Sequence, residues 1–245
     1  MSELLGLKVD VLLTLGTPAT RAAQQATSTT PIVMVTVADP VQSGFVVSLS
    51  RPGGNITGSS EMSEELVPKR IELVKETIPQ VSLIAVMWDP NHPTNALELQ
   101  KAEAAARALG LKVRGVAGHD RAQIAKAFGE MRRWRPDALV VLDSYSAFIH
   151  LPQIVELAKR NRLPTFYGTW QGAKSGALMS YGPDVPDQYR NAALFVDSLL
   201  KGAKPADLPV KQPTKFRLAI NLSTARLLDL TIPPSLLVRA DDFLQ

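Results

Sequence analysis

A set of polar and aromatic residues recurs in one kind of position along this sequence, just after an apolar run and just before a helical one. Gly16, Thr17, Asp39, Asn91, His92, Asp143, Ser144, Tyr145 and Tyr167 all fall there. Hydroxyl, amide and carboxylate groups interleaved with flat aromatic surfaces suit the reversible capture of a small polar ligand that has an apolar or aromatic body. At Gly16-Thr17-Pro18, Thr17 is expected to be an N-cap and Pro18 the first helical residue. Unpaired backbone N–H groups would then point beyond the strand end and offer a seat for a carboxylate or similar anion. The same residues also meet the plain need of any strand-to-helix joint for a cap, and both readings stand.

Bond-making chemistry has less support. Asp39, Asp89 and Asp143 are of the right type for general acid–base work, but each follows a strand where a helix cap belongs. His92, His119 and His150 are scattered without metal-ligand spacing, and with no cysteine there is no thiolate nucleophile, thiolate metal site or disulfide. Walker A, Gly-x-Gly-x-x-Gly and Gly-x-Ser-x-Gly patterns are all missing. No catalytic residue, metal or cofactor is expected. Among the aromatic residues Trp88, Tyr145, Tyr167 and Trp170, the two tyrosines lead as ligand walls, because each lies at or just beyond a strand end. Arg132, Arg133 and Arg135 around Trp134 read as the solvated last turn of a helix.

Composition narrows the partners. The 245 residues carry 27 Lys+Arg against 23 Asp+Glu, a net +4 dispersed along the chain, so nucleic acid is not implied. No run approaches the ~18 consecutive apolar residues of a membrane span. Met1-Ser2-Glu3-Leu4-Leu5-Gly6-Leu7-Lys8 lacks a basic n-region and a long apolar h-region, so no signal peptide is read there and the face-value location is cytoplasmic.

The elements that must position these residues alternate strictly. Apolar, β-branched runs at 9–15, 31–37, 82–88, 112–117 and 138–142, with shorter ones at 56–59, 164–168 and 176–182, predict strands. Helical spacing predicts helices over 17–26, 63–78, 96–109, 121–134, 152–161 and 187–201. A short amphipathic segment is expected to run on to Leu49. Gly110 is expected to stop its helix, and Asp39-Pro40 and Asp89-Pro90 repeat the cap-plus-proline pattern. The last strand, 215–221, alternates Phe216, Leu218 and Ile220 with polar neighbours and is expected to be half-exposed. A final short helix follows from Ser223 or Thr224, then an irregular tail forced by Ile232-Pro233-Pro234. Repeated βα units predict an α/β protein with parallel sheets and helices on both faces, its strand-end loops gathered on one side.

Ordered stretches along the whole chain carry a resemblance. They are Gly16-Thr17-Pro18-Ala19, Pro31-Ile32-Val33 with Ala38-Asp39-Pro40-Val41, Arg51-Pro52-Gly53-Gly54-Asn55-Ile56-Thr57-Gly58, and 104–111 (AAARALGL). Leu178-Met179-Ser180-Tyr181-Gly182 and 201–210 (KGAKPADLPV) running into Gln212-Pro213-Thr214-Lys215-Phe216 complete the set. In these the sequence resembles the substrate-binding proteins of ABC importers of the tryptophan/tyrosine-binding type, which have a two-lobed type I periplasmic-binding fold. The resemblance implies a first lobe of 1–60 plus 176–215 and a second of 61–175 plus 216–245, with ligand trapped between them by hinge closure. It implies that Gly16, Thr17 and Asp39 line the first lobe's side and Asn91, Asp143, Ser144 and Tyr167 the second's. Tyr145 joins them on its strand-end position. Small-molecule ligand and ABC permease subunits in the membrane are the implied partners, outside the cytoplasm, with no bond made or broken.

Members of that family ordinarily begin with an export signal and a βαβ section of the first lobe, whereas this chain opens just before a later strand. The first lobe is therefore expected to be N-terminally incomplete by at least one unit of ~30 residues, as in a fragment, a mis-assigned start or a degenerate gene product. A ligand-sensing module of a regulatory system shares the fold, although nothing here resembles a helix-turn-helix. A small α/β enzyme resting on Asp39, Asp143 and His92 is the other alternative. Ligand identity stays open among an aromatic amino acid, another amino acid and a different small carboxylate.

Overall fold

The computed structural model describes residues 1–245, Ser2 through its backbone alone. The chain begins with α1 (Ser2–Gly6), β1 (Leu12–Leu15), α2 (Gly16–Ala26), β2 (Ile32–Val37) and β3 (Ile56–Ser60). It continues through α3 (Ser63–Thr77), β4 (Leu83–Trp88), α4 (Asn95–Ala108), β5 (Lys112–Ala117), α5 (Arg121–Trp134) and β6 (Ala138–Val141). Then come α6 (Tyr145–Ile149), α7 (Leu151–Arg160), β7 (Thr165–Tyr167), α8 (Trp170–Lys174) and β8 (Met179–Pro183). The last stretch holds α9 (Val185–Leu200), β9 (Phe216–Asn221), α10 (Leu222–Leu227), α11 (Pro234–Arg239) and β10 (Asp242–Leu244).

Two compact units divide these elements, Met1–Met62 with Pro183–Lys215 and Ser63–Gly182 with Phe216–Gln245. Residues 176–182, expected with the first lobe, pack in the second unit, because Leu178 and Met179 are buried in its core. The first unit holds a three-stranded sheet, β1-β2-β3, with both pairs parallel. The second holds seven strands in the order β10-β9-β8-β7-β6-β4-β5. Its β10–β9, β8–β7, β7–β6, β6–β4 and β4–β5 pairs are parallel.

The runs without alternation form strands covered on both faces. In β2, Ile32 and Met34 point into a cluster with Ala23 and Phe45, while Val33 and Val35 point the other way, against Ala192, Phe195 and Leu199 of α9. In β4, Ile84 and Val86 meet Val67, Ile71 and Val74 of α3 and Ala102 and Ala106 of α4; Ala85 and Met87 meet α5 and α7. Successive residues of a strand point to opposite faces, so two apolar layers require an unbroken apolar run. The helix boundaries obey local chemistry too. At the end of α4, Gly110 has φ +71°, Leu111 N–H donates to the Ala106 carbonyl at 2.8 Å and Gly110 N–H to that of Arg107 at 3.1 Å, the paired bonds of a Schellman stop.

Several expectations are corrected. Helix α2 starts at Gly16 after Leu15, with no side-chain cap bond, so Thr17 is not its N-cap and Pro18 is not its first residue. No helix follows Asp39: its Oδ1 accepts from the N–H groups of Val41 and Gln42, both at 2.9 Å, closing turns instead. The expected amphipathic segment to Leu49 is turns and bends. Strand β9 is interior, between β8 and β10, and Leu218, Ala219, Ile220 and Asn221 are buried, so the half-exposed last strand is wrong. The tail is also more regular than expected, since α11 and β10 follow the prolines. Pro233 and Pro234 lead into a helix there, a position that needs no N–H donor.

One irregularity shapes the first unit. Met34 pairs with Gly58 and Val37 with Ser60, so three steps along β2 match two along β3, a bulge that contains Thr36 at φ +52°. A left-handed conformation is costly for a β-branched residue. Gly58 makes the close approach possible: at φ +135°, a Cβ there would lie 2.0 Å from the Met34 carbonyl oxygen. Gly58→Ala is expected to destabilise the protein by about 3 kcal/mol or more, because both backbone conformation and space forbid the methyl. Urea unfolding of that variant beside Gly54→Ala, where a Cβ meets nothing within 4 Å, checks this.

Candidate ligand-binding site

In the first unit, the residues singled out lie at the carboxyl ends of β1 and β2. Gly16 turns the chain at φ +74°, and Thr17 is buried behind it. Thr20 Oγ1 donates to the Gly16 carbonyl at 2.9 Å and lies 2.8 Å from Thr14 Oγ1, pinning the turn to both strand and helix. The loop carrying Asp39 is tied to α2 as well. The Arg21 guanidinium lies 4.4 Å from the Phe45 ring centre and donates to the Ser43 carbonyl, and Gln24 Nε2 donates to that of Gly44 at 2.7 Å. One short helix therefore holds both Gly16-Thr17 and the Asp39 loop.

In the second unit, the ends of β4, β6 and β7 converge on a network the sequence reading only partly contained. Asp89 Oδ1 accepts from Asn91 N–H at 2.8 Å and its Oδ2 from Ser146 Oγ at 2.6 Å. Ser144, rather than Asp143, caps α6, accepting from Ala147 N–H at 3.0 Å, and its hydroxyl lies 2.9 Å from that of Ser146. Asn95, wholly buried, joins the loops: its Oδ1 accepts from Asp89 N–H at 2.9 Å and its Nδ2 donates to the Asp143 carbonyl at 3.1 Å. His92 Nδ1 stands 3.2 Å from both Thr94 Oγ1 and Asn95 Nδ2. Burial holds the imidazole below its ordinary value against the opposing pull of Asp89 and Asp143.

The Asp143 carboxylate is committed inward. Its Oδ2 pairs with Arg70 Nη2 at 2.7 Å, and Arg70 Nε donates to the Tyr181 carbonyl at 2.9 Å. The arginine side chain is only 2% exposed. Room for the pair comes from two glycines. A Cβ on Gly168 would lie 1.9 Å from Asp143 Oδ2, and one on Gly182 would lie 1.8 Å from the Gly168 carbonyl oxygen. Tyr167 sits in the core rather than on a rim, 4% exposed, with its ring pressed where a Cβ on Gly172 would otherwise be. Burial, reinforced by Asp143, pushes its phenol well above the ordinary range, so it stays neutral. Tyr145, the first residue of α6, is 60% exposed, and Asn91 is exposed beside the Asp89 turn.

Sequence reasoning missed Arg70, Asn95 and Glu98. A signal existed: Arg70 shares a helical stripe with Val67, Ile71 and Val74, and Glu98 with Asn95, Ala102 and Ala106, so each is a charge on a face that must be buried. Glu98 is wholly buried, and its carboxyl is raised from the ordinary 4.5 to about 7. Burial is the main cause, Asp143 and Glu64 add to it, and the Thr94 hydrogen bond and Arg70 oppose it. Among the described residues no group of His, Asp and Glu side chains is arranged to hold a metal.

Removal of one partner from the buried pair leaves an uncompensated charge, so Arg70→Met is expected to cost about 3 kcal/mol in urea unfolding. Glu98 makes a different prediction. Between about 4.5 and 7 the folded protein keeps a proton that the unfolded chain releases, so stability falls as pH rises through that window and stays lower above it. The unfolding free energy of E98Q relative to the parent is therefore expected to climb across the window, by on the order of 3 kcal/mol at most. Calorimetric scans in matched buffers measure it.

Residues 1–244 match the profile of the family described as ABC transporter substrate binding protein. A tyrosine-binding protein of Clostridioides difficile is 27% identical over 229 residues; the match covers 94% of this chain, and the chain spans 66% of that protein's length. A solved structure from Streptococcus pneumoniae, an ABC domain in complex with L-Trp, superposes with a TM-score of 0.91 at 27% identity, covering 99% of this chain and 81% of that one. A conserved domain protein from Vibrio cholerae gives 0.90 at 30% identity, covering 98% and 80%. The fold is thus the α/β fold of type I periplasmic-binding proteins. With a profile match running from its first residue to its penultimate one, this chain belongs to the ABC transporter substrate-binding protein family.

Proposed function

We propose that this chain is the substrate-binding component of an ABC importer, carrying a small carboxylate with an aromatic body, an amino acid in the first instance, to permease subunits in the membrane. The observation that carries this reading is the strand-end network of the second unit. It offers an exposed Tyr145 ring on the same strand-end edge as Asn91, Ser144 and the Asp143 loop, which are held by partly buried hydrogen bonds. A preorganised polar floor with an aromatic surface binds without paying for its own ordering. Two relatives, one a tyrosine-binding protein and the other solved with L-Trp, support an aromatic amino acid.

Within this reading Tyr145 stacks on the ligand, Asn91 and Ser144 supply hydrogen bonds, and Asp143, committed to Arg70, offers at most its second carboxylate oxygen. The Gly16-Thr17 turn seats a carboxylate at the N-terminus of α2, and Asp39 lies on the same strand-end side of the first unit's sheet. Tyr167, being in the core, does not wall the ligand in this reading. No bond is made or broken, and the work is done outside the cytoplasm, as befits a member of this family. Among the described residues no helix is long and apolar enough to cross a membrane.

The test is isothermal calorimetry with L-tryptophan, L-tyrosine, L-leucine and a non-amino-acid aromatic carboxylate, read beside the shift in melting temperature. An aromatic amino acid at a hundredfold excess over its Kd is expected to add about 2.7 kcal/mol of stability. Tyr145→Ala is expected to weaken that binding about tenfold without lowering the ligand-free melting temperature, since the ring is exposed. Heat and shift that are absent for every compound, with folded protein, would refute the reading.

A further inference from the structure

Glu98 belongs to no expected site, yet it lies one layer beneath the network just described. Its Oε1 accepts from Thr94 Oγ1 at 2.5 Å and its Oε2 from Asn95 Nδ2 at 3.3 Å. An amide nitrogen carries two hydrogens, and Asn95 Nδ2 has Glu98 Oε2 and the Asp143 carbonyl as acceptors, with His92 Nδ1 a third in the tautomer that carries its proton on Nε2. Thr94 Oγ1 carries one hydrogen and stands between Glu98 Oε1 and His92 Nδ1. An ionised Glu98 is acceptor-only and draws the Thr94 hydrogen and a share of the Asn95 amide. Once protonated, one of its oxygens becomes a donor, the Thr94 hydrogen is released toward His92, and the Asn95 amide must find a new balance. The network therefore has two hydrogen-bond arrangements, separated by one proton.

The charges around that proton are few. Arg70 and Glu64 face it from α3, with Lys101 held on Glu64 at 2.6 Å, and Asp143 faces it from the end of β6. Asp89 and His92 lie on the loop after β4, linked to it through Asn95. In the structure Asn95 grips both Asp89 N–H and the Asp143 carbonyl, with Glu98 Oε2 3.3 Å from the same amide nitrogen.

We infer that Glu98 is a positioning residue for ligand capture: its carboxylate orients the Asn95 amide and, through it, the strand-end backbone at Asp89 and Asp143, so that ligand affinity follows its protonation. This rests on the reading that those loops hold the ligand. Affinity is strongest with Glu98 ionised and falls as the solution is acidified through neutrality, in the range where burial has placed its titration.

The experiment uses the full chain, its E98Q form and Thr94→Val. The Asn95 side-chain amide is followed by NMR without ligand, across roughly two pH units either side of neutrality. In the parent it is expected to titrate once near neutrality. In E98Q that titration disappears, and in Thr94→Val its midpoint moves to higher pH, because a hydrogen bond favouring the ionised form has gone. A merely structural glutamate would leave the ligand Kd independent of that titration. Calorimetric Kd values for L-tryptophan and L-tyrosine are expected to tighten about fivefold from the acid to the alkaline side in the parent, with the same midpoint, and to stay flat in E98Q. A parent Asn95 signal that does not titrate, or a parent Kd that is flat while the ligand binds, overturns the inference. Failure of the parent to bind either amino acid at every pH sinks the ligand-binding reading instead. The Asn95 titration, measured without ligand, then still decides whether Glu98 governs the amide.

Discussion

The second unit depends on a guanidinium and a carboxylate that share an almost dry space. Two charges removed from water are costly, and their attraction compensates only when geometry is good and the remaining donors and acceptors are engaged. Here Arg70 gives Nη2 to Asp143 and Nε to the Tyr181 carbonyl, while its buried Nη1 has no hydrogen-bond partner among the described residues. Gly168 and Gly182 keep the surrounding backbone close without a side chain in the way. The consequence reaches the surface. Asp143 opens the loop that carries Ser144 and Tyr145, so the buried pair decides where those exposed groups stand.

A comparable constraint organises the first unit, by strain rather than charge. The bulge at Thr36 shifts the end of β2 relative to β3, and Gly58 admits the close backbone approach. Residues in sparsely populated conformations cost on the order of 1–3 kcal/mol each and persist where surrounding contacts over-determine them. Met34, Val35 and Val37 around the bulge are wholly buried, which supplies that over-determination. The chain leaving the bulge enters the Asp39 turn directly, so the strain sits at the edge where the candidate ligand-binding residues of this unit gather.

Both units thus put modest chemical groups on hydrogen-bonded supports, which suits capture of a ligand. A binding component gains from loops whose hydrogen bonds are already satisfied, because little is left to order when a ligand arrives. Family membership gives this arrangement its context, and the buried Glu98 suggests that protons enter the same balance.

Much of the fold was legible in the linear chain. Unbroken apolar runs such as 32–37 and 83–88 can be satisfied only by strands covered on both faces, and 3.6-residue periodicity set the long helices to within two residues at either end. Strand-end positions of Gly16, Asp39, Asn91, Asp143 and Ser144 followed from the same alternation. Tyr167 shows the limit: its place at a strand end was visible, but burial depends on Gly172 and the core around it. The short α6 and α8, of five residues each, lie below the length at which periodicity speaks. Arg70, Asp143, Gly168 and Gly182 are far apart in sequence and meet only because α3, β6, β7 and β8 pack into one unit. Sequence by itself therefore determined where the long helices and the doubly covered strands form and which residues reach the strand ends, since those depend on local periodicity. The tertiary structure alone decided which charges are buried together and which strands slip by a residue, since those depend on contacts between distant segments.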